Sequence, residues 1–326
     1  MIPVSLHVNL STGISIRQTV EMCQQAEQQG FYGCWAADQG LDCRDTFVTL
    51  AAIAQKTTRL RLGTGITHPF TRHPAVTANA VASLDELSGG RAFLGVSAGG
   101  IDTFIPMGLP RPKPVVATRE MIEICRALFT GQRVTYRGEL FSLNDALMDS
   151  GKGKIEIWLT GRGPKMLALG GEIADGVLLD ASHREFLGEN VDLVRRSAAA
   201  AGKSPKLAYS TMIITNERVL EAYRPIQYWR LLEPPENIKK AIGLRDLDIA
   251  AMRNEFALSG MAAAGKLVRD EWLKPYVIMG SVEACAAQLR DMAAEYRIDQ
   301  FLLPSLSPEI MPDFLSEVAK VLALTE

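Results

Sequence analysis

Histidine and cysteine are both scarce in this 326-residue chain, with four of the first and five of the second. The cysteines, Cys23, Cys34, Cys43, Cys125 and Cys285, fall at irregular spacing and form no Cys-x-x-Cys pair. An odd number without a spacing pattern speaks against a disulfide frame or a zinc ribbon, and predicts reduced thiols that fill the core. With only His7, His68, His73 and His183 available, a histidine-rich metal site is not expected, and no metal is predicted. An excess of one charge is lacking too. Thirty-five basic residues face 37 acidic ones, the formal net charge is −2, and neither sign gathers into a block. Nucleic-acid binding would want a basic stripe. No apolar run reaches the roughly 18 residues that a membrane helix needs, and the N-terminus lacks a signal-peptide pattern, so a cytoplasmic protein is expected.

What is present is alternation. Val4, Leu6, Val8 and Leu10 lie on one side of an extended segment, with Ser5, His7 and Asn9 on the other. This is the period of a strand with an apolar and a polar face. Apolar positions at Ile16, Val20, Cys23 and Ala26 then follow helical spacing, and Gly30 closes the helix. The same reading places strands at 31–37, 59–62, 92–96, 155–159, 176–180, 207–214 and 298–303, with helices between them. Pro74 suits the first turn of the third helix, because its missing N–H would be unpaired there anyway. Eight strands separated by helices predict an α/β fold, a closed (β/α)8 TIM barrel in a single domain. Two insertions are expected, after strand four at 101–154 and after strand seven at 216–274, the latter helical and broken by Pro234 and Pro235. A two-domain α/β protein is the alternative.

In such a barrel the chemistry stands at the carboxyl ends of the strands. Those ends carry His7 and Asn9, then "AADQ" (36–39), "GTGITH" (63–68), "SAGG" (97–100), "TGRG" (160–163) and Asp180. The opposite ends carry ordinary turn material such as "SGGRA". Glycine lets backbone approach a ligand closely and lets its N–H groups point at it. The Gly-x-Gly turn in "WLTGRGPKML" sits between a strand and a helix, where a phosphate fits the helix N-terminus beside Arg162 and Lys165. The bland alternative is a tight turn. A dinucleotide-binding fold is a rival, since Asp180 has the spacing of its acid, but Met166 occupies the place of the third glycine.

The segment "LGTGITHPFTRHPAV" with "LDELSGGRA", together with "GPKMLALGGEIADGVLLDASH", resembles the luciferase-like superfamily of flavin and deazaflavin enzymes. It is most similar to the branch typified by methylenetetrahydromethanopterin reductase. That resemblance implies a TIM barrel holding coenzyme F420 or FMN in its mouth. It implies a cis, non-proline peptide bond at Gly65–Ile66 behind the flat ring. Asp38, Gly65, Ile66, Thr67, Ala98, Gly99 and Gly100 are then expected to line the ring, and Thr160, Gly161, Arg162 and Gly163 to hold the phosphate-bearing tail. His73, before Pro74, is expected to cap its helix rather than to react.

Two positions depart from the pattern. Gln39 follows the strand-two Asp where the family usually has histidine, and glutamine cannot shuttle a proton near neutral pH. His7 stands where the reductase branch has a glutamate, which argues against methylenetetrahydromethanopterin as the substrate. His7 and Gln39 are the catalytic candidates, His7 as the acid–base group. The expected activity is hydride transfer between reduced coenzyme F420, or FMN, and a small organic substrate. A monooxygenase using reduced FMN and oxygen, a nicotinamide or folate-type reductase without flavin, and a non-catalytic binding barrel are the alternatives. A homodimer is expected only by analogy with the family.

Overall fold

The computed structural model describes residues 1–325 other than 12, 151, 152, 181, 233 and 235, so Pro235 lies outside the described residues. The chain opens with β1 (Val4–Val8), α1 (Ile16–Gln28), β2 (Gly33–Ala36), α2 (Thr46–Ala54), β3 (Arg61–Thr64), α3 (Pro74–Ser88) and β4 (Ala92–Val96). A short α4 (Ile101–Phe104) precedes α5 (Pro114–Leu128), and β5 (Val134–Arg137) pairs antiparallel with β6 (Ser142–Ala146) as an outlying hairpin. Then come β7 (Glu156–Thr160), α6 (Pro164–Ile173), β8 (Gly176–Leu179), α7 (Leu187–Ala200) and β9 (Lys206–Ser210). A two-residue β10 (Ile213–Ile214) leads to five helices, α8 (Glu217–Leu231), α9 (Glu236–Ile242), α10 (Asp246–Ser259), α11 (Met261–Gly265) and α12 (Asp270–Leu273). The chain returns through β11 (Ile278–Met279), α13 (Val282–Tyr296), β12 (Gln300–Pro304) and α14 (Met311–Ala323).

Eight parallel strands close into a barrel in the order β1-β12-β9-β8-β7-β4-β3-β2. The (β/α)8 expectation therefore holds, and the dinucleotide-fold alternative falls. Local signals start and stop the helices. Ser15 and Gln18 form a reciprocal capping box on α1, His73 accepts the Ala75 N–H at the start of α3, and Gly89 ends α3 at φ 71°. All five cysteines are buried and unbridged.

Several strand ends differ from the sequence reading by one or two residues, and two of the differences have a physical cause. The third begins and ends two residues later than 59–62, because Gly63 lies inside the strand rather than in a turn. A Cβ there would stand 2.4 Å from the Phe93 carbonyl oxygen, so glycine is what lets β3 and β4 meet. The seventh does not run through 207–214. It leaves the barrel after Ser210, and Ile213–Ile214 pairs with β11 outside it.

The barrel interior is layered. At its middle Trp35, Phe93, Trp158, Leu178, Ala208 and Leu302 fill the cross-section, with Trp35 4.5 Å from Phe93 and 5.4 Å from Trp158 between ring centroids. Below, at the amino ends, the strands carry a polar plug. Ser5 donates to Gln300 at 3.1 Å, and Glu156 pairs with Lys206 at 2.6 Å and Arg61 at 3.3 Å. Because side chains alternate, the residues two further along face inward again at the carboxyl ends. These are Gly65, Gly95, Thr160, Asp180 and Ser210, joined by His7, which is in register with Trp35. A separate small core of Tyr228, Leu231, Ile249, Met252, Trp272 and Tyr276 holds the α8–α12 helices together.

Candidate active site

The inward layer at the carboxyl ends divides into two arcs. One, from β7 through β8, β9 and β12 to β1, is polar. The other, from β2 through β3 to β4, is mostly glycine and backbone.

His7 anchors the polar arc. Its Nε2 meets the carbonyl oxygen of Gly65, so the ring proton resides on Nε2 and donates to that carbonyl, leaving Nδ1 as the basic atom. Burial lowers the His7 pKa, outweighing the attraction of Asp180, and the imidazole is neutral at pH 7. Asp180, just past β8, is flanked by two guanidiniums. Arg162 Nη2 lies 3.3 Å from Oδ2, and Arg230 Nη2 lies 3.9 Å from Oδ1. Burial works against this carboxylate, yet Arg162 and Arg230 together hold its pKa below the ordinary value. Arg230 comes from α8. It also donates to Ser210 Oγ at 2.8 Å and to the Tyr223 hydroxyl. Thr160 Oγ1, at the end of β7, is buried without a hydrogen-bond partner among the described residues.

The opposite arc is built around Asp38, which is 8% exposed and accepts from the Thr67 hydroxyl at 2.6 Å and from Arg72 at 3.3 Å. The Gly65–Ile66 peptide is cis, as the resemblance implied. The Gly65 N–H donates to the Ala36 carbonyl at 2.6 Å, and the Thr67 N–H to the Gly95 carbonyl at 3.0 Å, so β2 and β4 hold this segment from both sides. A Cβ on Gly65 would stand 2.6 Å from that of Trp35. Ala98 is buried, Gly99 turns at φ 68°, and Gly100 is exposed. His68 packs edge-on against Phe104 at 4.6 Å, with neither ring nitrogen partnered among the described residues.

Between the arcs stands the start of α6. A Cβ on Gly161 would lie 2.3 Å from Met166 Cγ, so this glycine answers to packing. Gly163 caps α6 with no heavy atom within 4 Å of where a Cβ would be. Its bareness and the exposed Arg162 leave the helix N-terminus open to an anion. The structure thus brings together His7, Gly65 and Asp180, and separately Asp38 and Thr67. Gln39 is not part of either group: its side chain is exposed, and its backbone N–H meets Cys43 Sγ at 3.1 Å. The residues present fit a flat heteroaromatic ring with an anionic tail. A glycine and backbone wall can face the ring, and a bare helix start with an arginine can take the tail.

A family model described as Luciferase-like monooxygenase matches residues 1–300. The chain belongs to the luciferase-like family. Among relatives of this luciferase-like protein, the 5,10-methylenetetrahydromethanopterin reductase of Methanolobus tindarius is 33% identical over 82% of this chain and 84% of its own. That of Archaeoglobus fulgidus is 34% identical over 82% and 83%. A solved structure of the coenzyme F420-dependent tetrahydromethanopterin reductase from Methanopyrus kandleri superposes with TM-score 0.88 at 24% identity, covering 100% of this chain and 99% of that one. An F420-dependent secondary alcohol dehydrogenase, in complex with an F420-acetone adduct, superposes at TM-score 0.78 and 20% identity over 100% of this chain and 99% of its own. At those identities the superpositions speak for the shared fold.

Sequence reading missed Arg230, Ser210 and Arg72. Arg72 lies in "LGTGITHPFTRHPAV", so its segment was marked although its pairing with Asp38 was not. Nothing local marks Arg230, which reaches Ser210 from 20 residues along the chain through the folding-back of α8.

Proposed function

We propose that this protein is an oxidoreductase that transfers hydride between reduced coenzyme F420 and a small organic substrate held against the polar arc. The observation that carries the reading is the two-sided mouth. A glycine and backbone wall with a cis Gly65–Ile66 peptide faces a layer containing His7 and Asp180. Relatives whose names include coenzyme F420 support the choice of cofactor. Besides the two structures above, a glucose-6-phosphate dehydrogenase of Mycolicibacterium gilvum, named as F420-dependent, is 30% identical over 58% of this chain.

Coenzyme F420, when bound, supplies hydride chemistry that no amino-acid side chain offers. The chain contributes the rest. Asp38, by holding Thr67 and Arg72, fixes the strand-three segment that would lie behind the ring. Gly163 and Arg162 would hold the tail. Trp35, Phe93 and Trp158 close the floor and keep water from entering from below. His7 handles the proton: neutral, with its Nε2 hydrogen held by the Gly65 carbonyl, it takes up a proton at Nδ1 and, once protonated there, can give it back.

Titration with coenzyme F420 and with FMN, read by cofactor fluorescence, tests the reading. Binding of F420 in preference to FMN is expected, and saturable FMN binding without F420 binding would overturn it. His7→Ala should lower turnover by roughly 10²–10⁴-fold while leaving cofactor affinity in place. Undiminished turnover removes His7 from the role.

A further inference from the structure

We propose that Arg230 is a substrate-binding residue, and that the substrate presents it with an anionic oxygen group, a carboxylate or a phosphate. The inference rests on the mouth being the active site, as above, and adds the class of molecule it accepts.

Arg230 is an expensive residue to place where it is. Its side chain is 9% exposed, and a buried guanidinium is tolerated only when its donors are well used. Among the described residues its hydrogen-bond acceptors carry no charge. Tyr223 and Ser210 are neutral hydroxyls, and the Asp180 carboxylate is 3.9 Å away, beyond hydrogen-bond length. Asp180 is moreover shared with Arg162, which approaches more closely at 3.3 Å. Among the described residues the planar fork thus meets two neutral hydroxyls and one distant, shared carboxylate, and a bidentate oxyanion is the charged group that suits it.

The surroundings point the same way. His183, packed edge-on against Tyr276 at 5.5 Å, accepts the Glu185 N–H on Nδ1 at 3.2 Å, so its ring proton is on Nε2. That nitrogen is buried and has no partner among the described residues. Thr160 Oγ1 is in the same condition on the neighbouring strand. This stretch of the mouth therefore offers donors in surplus, with Asp180 as its charged acceptor. The two arginines divide the work by position. Arg162, 43% exposed beside Gly163, suits the tail of a cofactor, and the deeper Arg230 beside Ser210 suits the substrate.

Calorimetric titration of inorganic phosphate and of acetate into protein saturated with coenzyme F420, at constant ionic strength, tests this. One saturable oxyanion site is expected. Arg230→Met should weaken it by roughly 10- to 100-fold and move F420 affinity by no more than about twofold, with Arg230→Lys in between. Arg162→Met should do the reverse, weakening F420 and sparing the oxyanion site. If Arg230→Met fails to fold, judged by near-ultraviolet circular dichroism, Arg230→Lys carries the comparison. Loaded wild-type protein that takes up neither anion overturns the proposal, as does an Arg230 variant that folds and binds them unchanged, which would reduce Arg230 to a structural tie between α8 and the barrel. Should F420 not bind at all, the proposed function fails. Phosphate titration of the cofactor-free protein and both arginine variants would still decide the role of Arg230.

Discussion

Mild acid should destabilise this protein through its histidines before its carboxylates matter. His7, His68 and His183 all have pKa values lowered from 6.5. In each, burial is the largest cause, ahead of the attraction of Asp180, Asp38 and Glu185 respectively. The sign follows directly. Between the unfolded value of 6.5 and the lower folded one, the unfolded chain binds a proton that the folded chain refuses, so stability falls as pH falls. A histidine that binds a whole proton only in the unfolded chain tilts the unfolding free energy by at most about 1.4 kcal/mol per pH unit, so three set a ceiling of about 4. Urea unfolding followed by circular dichroism, in small steps from pH 7 to 5, measures the slope. His68→Leu isolates one contributor. His68 is 1% exposed, packed on Phe104, and both its ring nitrogens lack partners among the described residues, so leucine loses no hydrogen bond there. The variant should have a shallower slope, by at most about 1.4 kcal/mol per pH unit, and outlast the wild type below pH 6. A flat wild-type profile to pH 5, or an unaltered slope in the variant, would refute the reasoning.

Gly95→Ala should cost about 1–3 kcal/mol, because its Cβ would stand 2.1 Å from the Thr64 carbonyl oxygen, backbone that cannot turn aside. Gly163→Ala, with open space around it, should leave the urea midpoint nearly unmoved and instead weaken F420 binding. Glu120, 4% exposed, accepts the N–H groups of Glu139, Leu140 and Phe141 at 2.6, 3.1 and 2.9 Å. Glu120→Ala should release the tip of the β5–β6 hairpin, seen as faster proteolysis near 138–141 with the barrel still folded.

The barrel was legible because its strands are short apolar runs with polar punctuation at one end, a pattern carried by neighbouring residues. Gly63 misled for a physical reason. Glycine signals both a turn and a close approach between backbones, and only the position of Phe93 decides between them. Thr211 and Met212, between β9 and β10, are residue types that suit a strand, so nothing in them marked the exit and the apolar pair after them read as a continuation. The site was half legible. Asp38, Gly65 and His7 stand at strand ends, where position alone nominates them. Arg230 and Ser210 meet only through tertiary folding, and Glu120 reaches its hairpin across 19 to 21 residues, so neither arrangement leaves a periodic trace.

The interior has a charged stopper at one end and three aromatic rings above it, which makes the mouth a cul-de-sac. Whatever enters has to leave by the same rim, because nothing drains through the opposite end, so release across that rim should grow slower when a bulky molecule lodges there.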